Sequence, residues 1–394
     1  MSPFARHWLL DPEVTFLNHG SFGACPRVVL EACDAWRLRF EREPVHFVLH
    51  ELEPALDAVR RRLGEFVGAD PRDLAFVGSA TAGVNTVLAA FDFRSGDEIL
   101  IANQTYPACR NAAVSWAARA GARTVSVDLP FPLRAPSEIV EALVRGITPR
   151  TRLALIDHVT SPTGIVLPLA ELIAEFRARG ITTLVDGAHA PGMLPLDLTA
   201  LGADYYVGNL HKWCCGPKGT AFLWAPRERQ STLHPLVVSH GMTAERSDRS
   251  RFQLEFDWVG TQDHASVLAL PAALDFLEGV LPGGIPEVMA RNHELALAGQ
   301  RELLNVLGGE PPAPDSMVGS MATVLLPDAR DHRPNPRSPF VEPLHSELVA
   351  RGFQVPVSLF PAPPKQQVRI SAQLYNDLDQ YRGLAQALRE LLVG

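Results

Sequence analysis

The stretch Asp204-Tyr-Tyr-Val-Gly-Asn-Leu-His-Lys-Trp-Cys-Cys-Gly-Pro-Lys-Gly219 decides how the rest of the chain is read. An apolar, strand-like run closes there on a lysine, Lys212, and the chain then turns through glycine and proline. An amine held at the mouth of a sheet and partly desolvated loses its proton near neutral pH, which makes it a nucleophile toward an aldehyde. Upstream, Thr182-Thr-Leu-Val-Asp186-Gly-Ala-His189 ends a second buried run in a carboxylate and an imidazole. The 26 residues from Asp186 to Lys212 suffice for a loop, a crossover segment and the next strand, so both side chains reach the same sheet edge.

Working outward, strand-like runs recur at residues 74–77, 98–102, 124–127, 153–156, 182–185, 204–207 and 220–224. Helical patterns lie between them, among others at 52–66, 80–90 and 169–179. This alternation predicts an α/β fold with a large, mostly parallel seven-stranded sheet sandwiched by helices. Ligands of such sheets sit beyond the carboxyl ends of the strands, where Asp186 and Lys212 fall. After about residue 265 the pattern predicts helices over 265–277, 288–307 and 377–392, in a smaller α+β C-terminal domain. The expected division is 1–20 as an N-terminal segment bordering the site, 21–264 as the large domain and 265–394 as the small one.

Composition narrows the class. With 394 residues, 46% hydrophobic and 20% charged, the chain reads as a soluble globular protein large enough for two cores. A net charge of −8 speaks against a nucleic-acid surface. No apolar run approaches 18 residues and no signal-peptide core is present, so no membrane is expected and the location reads as cytoplasmic. The five cysteines are odd in number and lack paired metal spacing, so they read as reduced thiols. His46 and His50 lack the intervening glutamate of a zinc helix, and no metal is expected. No G-x-S-x-G elbow occurs either.

A reactive lysine with a buried carboxylate nearby suits pyridoxal 5'-phosphate, whose ring nitrogen stays protonated only against such a carboxylate. On this reading Lys212 forms the Schiff base, Asp186 meets the ring nitrogen, and His189 packs on the ring or bonds its phenolic oxygen. Gly78-Ser-Ala-Thr-Ala-Gly83 joins a strand to a helix. It reads either as a loop whose backbone N–H groups and hydroxyls hold a phosphate or as an ordinary helix start capped by Ser79 or Thr81. Val84 and Asn85 stand where a nucleotide loop needs lysine and a hydroxyl. Tyr106 is a ring-stacking or turn aromatic, and Ser161 a donor to the phenolic oxygen or a turn residue. Arg369 is either a structural ion-pair partner or a bidentate clamp for a substrate α-carboxylate.

Together these residues resemble the class V aminotransferase family of fold-type I pyridoxal-phosphate enzymes. Asn18-His-Gly-Ser-Phe-Gly23, His158-Val-Thr-Ser-Pro-Thr-Gly164, Val185-Asp-Gly-Ala-His-Ala-Pro-Gly192 and Arg369-Ile-Ser-Ala372 look most like its isopenicillin N epimerase branch. The resemblance implies a homodimer with shared active sites and a small-molecule amino-acid substrate. It implies a phosphate loop of Ser79, Ala80 and Thr81, a phosphate-side role for His211, a contact from Thr261 to the other subunit's phosphate, and a substrate-pocket position for Asn18 and His19. The family's desulfurases carry a persulfide-forming cysteine shortly before the clamp arginine, but here the last cysteine is Cys215.

The expected reaction begins with removal of a substrate Cα proton by Lys212. Return of a proton from the opposite face, with Tyr106 or His19 as the donor, gives an epimerase, the leading expectation. Loss of a β-sulfur group gives a C–S lyase, the alternative. Transamination and a non-catalytic binding role are the remaining branches.

Overall fold

The computed structural model describes residues 2–330 and 342–393. After a two-residue strand, β1 (Thr15–Phe16), the chain lays down the seven strands read from the sequence. They are β2 (Leu74–Val77), β3 (Glu98–Ala102), β4 (Arg123–Val127), β5 (Thr151–Asp157), β6 (Thr182–Asp186), β7 (Tyr205–Asn209) and β8 (Ala221–Trp224). They form one sheet in the order β2-β8-β7-β6-β5-β3-β4. Six strands of this sheet point the same way, and β8, antiparallel to both β7 and β2, is reversed between them.

Strand side chains alternate between two cores, as the two-residue period of a pleated strand requires. Leu100, Ala102, Ala154 and Ile156 pack on one face against helices that include Leu52–Val67 and Leu169–Ala178. Ile99, Ile101, Leu153 and Leu155 pack on the other face against Ala80–Ala90 and Pro107–Arg119. Both faces of the central strands are therefore buried, which is why they read as unbroken apolar runs.

A second sheet joins β9 (Met321–Leu326), β11 (Val357–Leu359) and β12 (Gln366–Ser371) in the order β11-β12-β9, antiparallel throughout. The helices Gly284–Leu307 and Leu378–Val393 contribute Ala296, Leu303, Tyr381 and Leu384 to its core. The N-terminal segment belongs to this layer too. β1 pairs in parallel with β10 (Phe353–Gln354), Leu17 is fully buried in the second core, and Ser371 N–H donates to Leu17 O at 2.9 Å.

One expected helix is divided. The pattern over 265–277 becomes Ala265–Leu268 and Leu270–Gly279, because Pro271 in the first turn of the second piece has no N–H to continue the ladder. Among the described residues, no single helix is long and apolar enough to cross a membrane.

Candidate active site

The reversal from β7 to β8 places the lysine. Eleven residues separate Asn209 from Ala221, too few for a helical crossover, so the chain folds back on itself and β8 runs antiparallel. Leu210 N–H donates to Thr220 O, and Gly216 N–H to Leu210 O, both at 2.9 Å, which closes the loop. Cys215 sits inside it in a left-handed conformation at φ 57°. Lys212 is carried on this loop at the carboxyl end of β7, beside the end of β6 where Asp186 lies.

The N-terminal segment braces the loop from behind. His19 Nε2 lies 3.0 Å from Lys212 O and its Nδ1 2.8 Å from the Tyr375 hydroxyl, and the ring packs against Trp213 at 4.8 Å. Lys218 Nζ donates to Gly23 O at 3.0 Å. Gly23, at φ 71°, comes so close that a Cβ there would stand 2.0 Å from His211 O. This corrects the expectation for His19. The residue is fully buried with both ring nitrogens engaged, and burial lowers its pKa to about 3, so it neither faces substrate nor donates a proton to it.

A cleft of about 150 Å³ opens where the strands end. Lys212, Asp186, His189, His211, Ser79, Ala80, Thr81, Tyr106 and Ser161 all line it. Lys212 Nζ stands 3.1 Å from His189 Nε2, and the Trp213 indole N–H donates to His189 Nδ1 at 3.4 Å. Burial lowers the histidine's pKa well below its usual value, so the ring is neutral. A neutral imidazole that accepts at Nδ1 carries its proton at Nε2 and gives it to Nζ when the lysine holds a lone pair. Burial lowers the Lys212 pKa to about 8 against the opposing pull of Asp186, so that neutral amine is a minority at pH 7 and dominates above about pH 8.

Asp186 is 3% exposed, and its oxygens accept from Ala188 N–H at 3.0 Å and from the Cys109 thiol at 3.1 Å. Ser79 is the N-cap of helix Ala80–Ala90, its hydroxyl oxygen accepting from Ala82 N–H at 3.1 Å. The phosphate-loop expectation needs one change here. Ala80 N–H is already given to Asn209 Oδ1 at 2.8 Å, so Ala80 fixes the shape of the loop and leaves anion contacts to the Ser79 and Thr81 hydroxyls and the helix N-terminus. Tyr106, 41% exposed, precedes helix Pro107–Arg119 without capping it through its side chain.

Arg369 lies on β12, one layer behind the cleft wall. Its guanidinium donates to Ser161 O and reaches Ser21 Oγ at 3.3 Å and Asn18 Oδ1 at 3.4 Å. It is 6% exposed, its Nε has no hydrogen-bond partner, and among the described residues no carboxylate contacts it. Burial lowers its pKa to about 10. Asn18 thus positions the arginine, and its Oδ1 also accepts from Ser21 Oγ at 2.6 Å. Thr261 lies elsewhere, in a groove of about 520 Å³ with Trp36, Phe40 and Phe47.

Several site residues escaped the sequence reading: Asp157, Cys109, Asn209, Ser21 and Phe22. Asp157 carried a signal, since it ends its strand as Asp186 does. Cys109 and Asn209 act across 77 and 129 residues, and no local pattern announces such contacts.

The donor set fits pyridoxal 5'-phosphate. A lysine with a lowered pKa faces a buried carboxylate beside a capped helix N-terminus, and among the described residues neither that carboxylate nor the buried Arg369 has an ion-pair partner. Fold and site together define a lysine-centred α/β enzyme class with its cleft at the strand ends. The chain belongs to the aminotransferase class-V family, whose model matches residues 21–325. It is 37% identical to isopenicillin N epimerase of Amycolatopsis lactamdurans, over 97% of this chain and 96% of that one. It is 34% identical to putative L-cysteine desulfhydrase 2 of Oryza sativa subsp. japonica, over 99% of this chain and 86% of that one. Among solved structures, a C-DES mutant with glycine covalently linked to its PLP cofactor matches with a TM-score of 0.82 at 23% identity, covering 99% of this chain and 100% of that one. That last likeness bears on the fold.

Proposed function

We propose that this protein is a pyridoxal-phosphate-dependent amino-acid epimerase, working as a homodimer. The observation that carries the reading is the buried Lys212 with its lowered pKa beside His189, in a cleft that also holds Asp186 and backs onto an arginine that meets no carboxylate among the described residues. When bound, pyridoxal 5'-phosphate supplies an electron sink for the pair left at a substrate Cα. Asp186 would hold the ring nitrogen, and Ser79 and Thr81 would hold the phosphate. Lys212 Nζ takes the Cα proton on one face, with His189 Nε2–H orienting its lone pair. Arg369 takes the substrate carboxylate, exchanging its bonds to Ser161, Ser21 and Asn18 for a charged partner. With His19 turned away, the Tyr106 phenol is the remaining candidate donor for the second face. Leu236, Val237, Val238 and Met242 are exposed apolar residues that support a subunit contact, as does the position of Thr261.

The likeness to isopenicillin N epimerase supports this outcome, and the likeness to a desulfhydrase favours β-elimination of a sulfur group as the second reading. A persulfide relay is disfavoured in both. Four of the five thiols are buried, and the fifth, Cys25, is pushed up to about 12 by burial. Incubating the holoenzyme with single enantiomers of amino acids in deuterium oxide separates the readings. Deuterium at Cα with conversion to the other enantiomer and no loss of material is expected. Release of a keto acid together with a thiol or sulfide instead would establish the lyase.

The Lys212 pKa also sets a pH dependence. The aldehyde is attacked by the neutral amine, so capture of pyridoxal phosphate by apo-protein should accelerate about tenfold per pH unit below the lysine's pKa and level off above it. The break should fall near the lowered value of about 8 and not near 10.5. Stopped-flow absorbance reads it, and a rate still climbing well above that break contradicts the assignment.

A further inference from the structure

The mechanism above leaves one acid of the cleft, Asp157, unused. Asp157 ends β5 and is the register partner of Asp186 at the end of β6. Both are 3% exposed, and both line the cleft. Two carboxylates set side by side in a low-dielectric pocket cannot both ionise unless cations compensate them.

The groups around the pair supply one positive charge at most, against two carboxylates. From the start of helix Pro107–Arg119, Tyr106 N–H approaches Asp157 Oδ1 at 3.4 Å and Thr105 bonds the same carboxyl, while Cys109 S–H donates to Asp186 Oδ2. From the turn after β6, Ala188 N–H donates to Asp186 Oδ1. The Tyr206 phenol on β7 and the Tyr106 phenol feel Asp186 as well. All these donors are neutral. Among the described residues, the cation facing the pair is Lys212, whose Nζ is turned to His189.

We propose that Asp157 is the protonated member of an Asp157–Asp186 acid pair, a positioning residue that keeps the ring-nitrogen end of the cleft at a single negative charge. Burial and the Asp186 charge both act in this direction, raising the Asp157 carboxyl well above the usual carboxylate range. One charge matches one ring N–H. A second would strengthen the hold of Lys212 on its proton and withdraw the neutral amine that the reaction needs. The acid pair itself stands on the strand geometry, whereas its service to the cofactor rests on the function proposed above.

Infrared difference spectroscopy of the full chain, with and without pyridoxal phosphate, tests the pair without reference to turnover. The wild type is expected to show a protonated-carboxyl carbonyl stretch at neutral pH that shifts in deuterium oxide. Asp157→Asn should abolish it, while the surface change Asp379→Asn leaves it in place. Asp186→Asn removes the neighbouring charge, so the band should titrate away at a pH lower by about one unit or more. In the holo-protein, Asp157→Asn should leave the pH titration of the cofactor absorbance within a few tenths of a unit of wild type, because the amide mimics the neutral acid. A wild-type protein without the band at neutral pH, or a band that survives Asp157→Asn, overturns the proposal, as does a cofactor titration moved by a full unit. Because the band is read without cofactor too, failure to take up pyridoxal phosphate would overturn the proposed function and leave the acid pair standing.

Discussion

Lys212→Ala is expected to lose covalent attachment of pyridoxal phosphate altogether and to slow turnover by about 10⁴-fold, the upper range for removing a positioned proton-transfer group. The expected loss is this large because on the proposed function the residue serves twice, as the point of attachment and as the base. His189 cannot stand in for it. Its ring is neutral with the proton at Nε2, so at the critical position it offers a donor where an acceptor is needed. Borohydride reduction followed by mass analysis gives the first readout: a cofactor adduct on the peptide containing Lys212 in wild type and none in the variant. Circular dichroism checks that the sheet survives. An adduct on another lysine, or turnover within tenfold of wild type, would remove Lys212 from the centre of the mechanism.

Arg369→Leu should raise KM for the amino-acid substrate by about 10²- to 10³-fold, from the 2–5 kcal/mol range for losing one partner of a buried charge pair. Its effect on stability should run the other way from an ordinary core truncation. In the free protein the guanidinium is buried with Nε unpartnered and, among the described residues, with no carboxylate against it, a costly arrangement that a leucine of smaller polarity relieves. The melting temperature without substrate is therefore expected to hold or rise while substrate affinity collapses. Thermal unfolding and steady-state kinetics on the same preparation check both halves. A drop of many degrees with an unchanged KM would make Arg369 a structural brace of Ser161 and Asn18.

Much of the architecture was legible because burial writes itself into the sequence. All seven strands of the large sheet appear at the expected places, most within a residue or two, since buried strands are apolar without interruption. The ends that matter chemically were less plain. The run at 153–156 stops one residue short of Asp157, because a carboxylate looks like the boundary of an apolar strand when it is the last residue of one. Pro271 marked the break between the two short helices, yet the continuous apolar pattern on either side outweighed it. The site residues Lys212, Asp186, His189 and Tyr106 could be placed at a common edge by strand logic alone. His19 could not, because its orientation is fixed by Tyr375 and by the Lys212 carbonyl, 356 and 193 residues away. Arg369 was legible as a cation for an anion, but not its setback behind Ser161 and Ser21.

The brace between Asn18–Gly23 and the lysine loop also imposes an order on the chain's assembly. The parallel strands from β3 to β7 pair with partners close in sequence or one crossover away, so the sheet can form from comparatively short-range encounters. The loop that carries Lys212 needs Gly23 against His211 and His19 against the Lys212 carbonyl, contacts that close nearly two hundred residues of chain. During refolding, the signal of a formed sheet should therefore precede competence to capture the cofactor, and the interval between them times the arrival of the first two dozen residues.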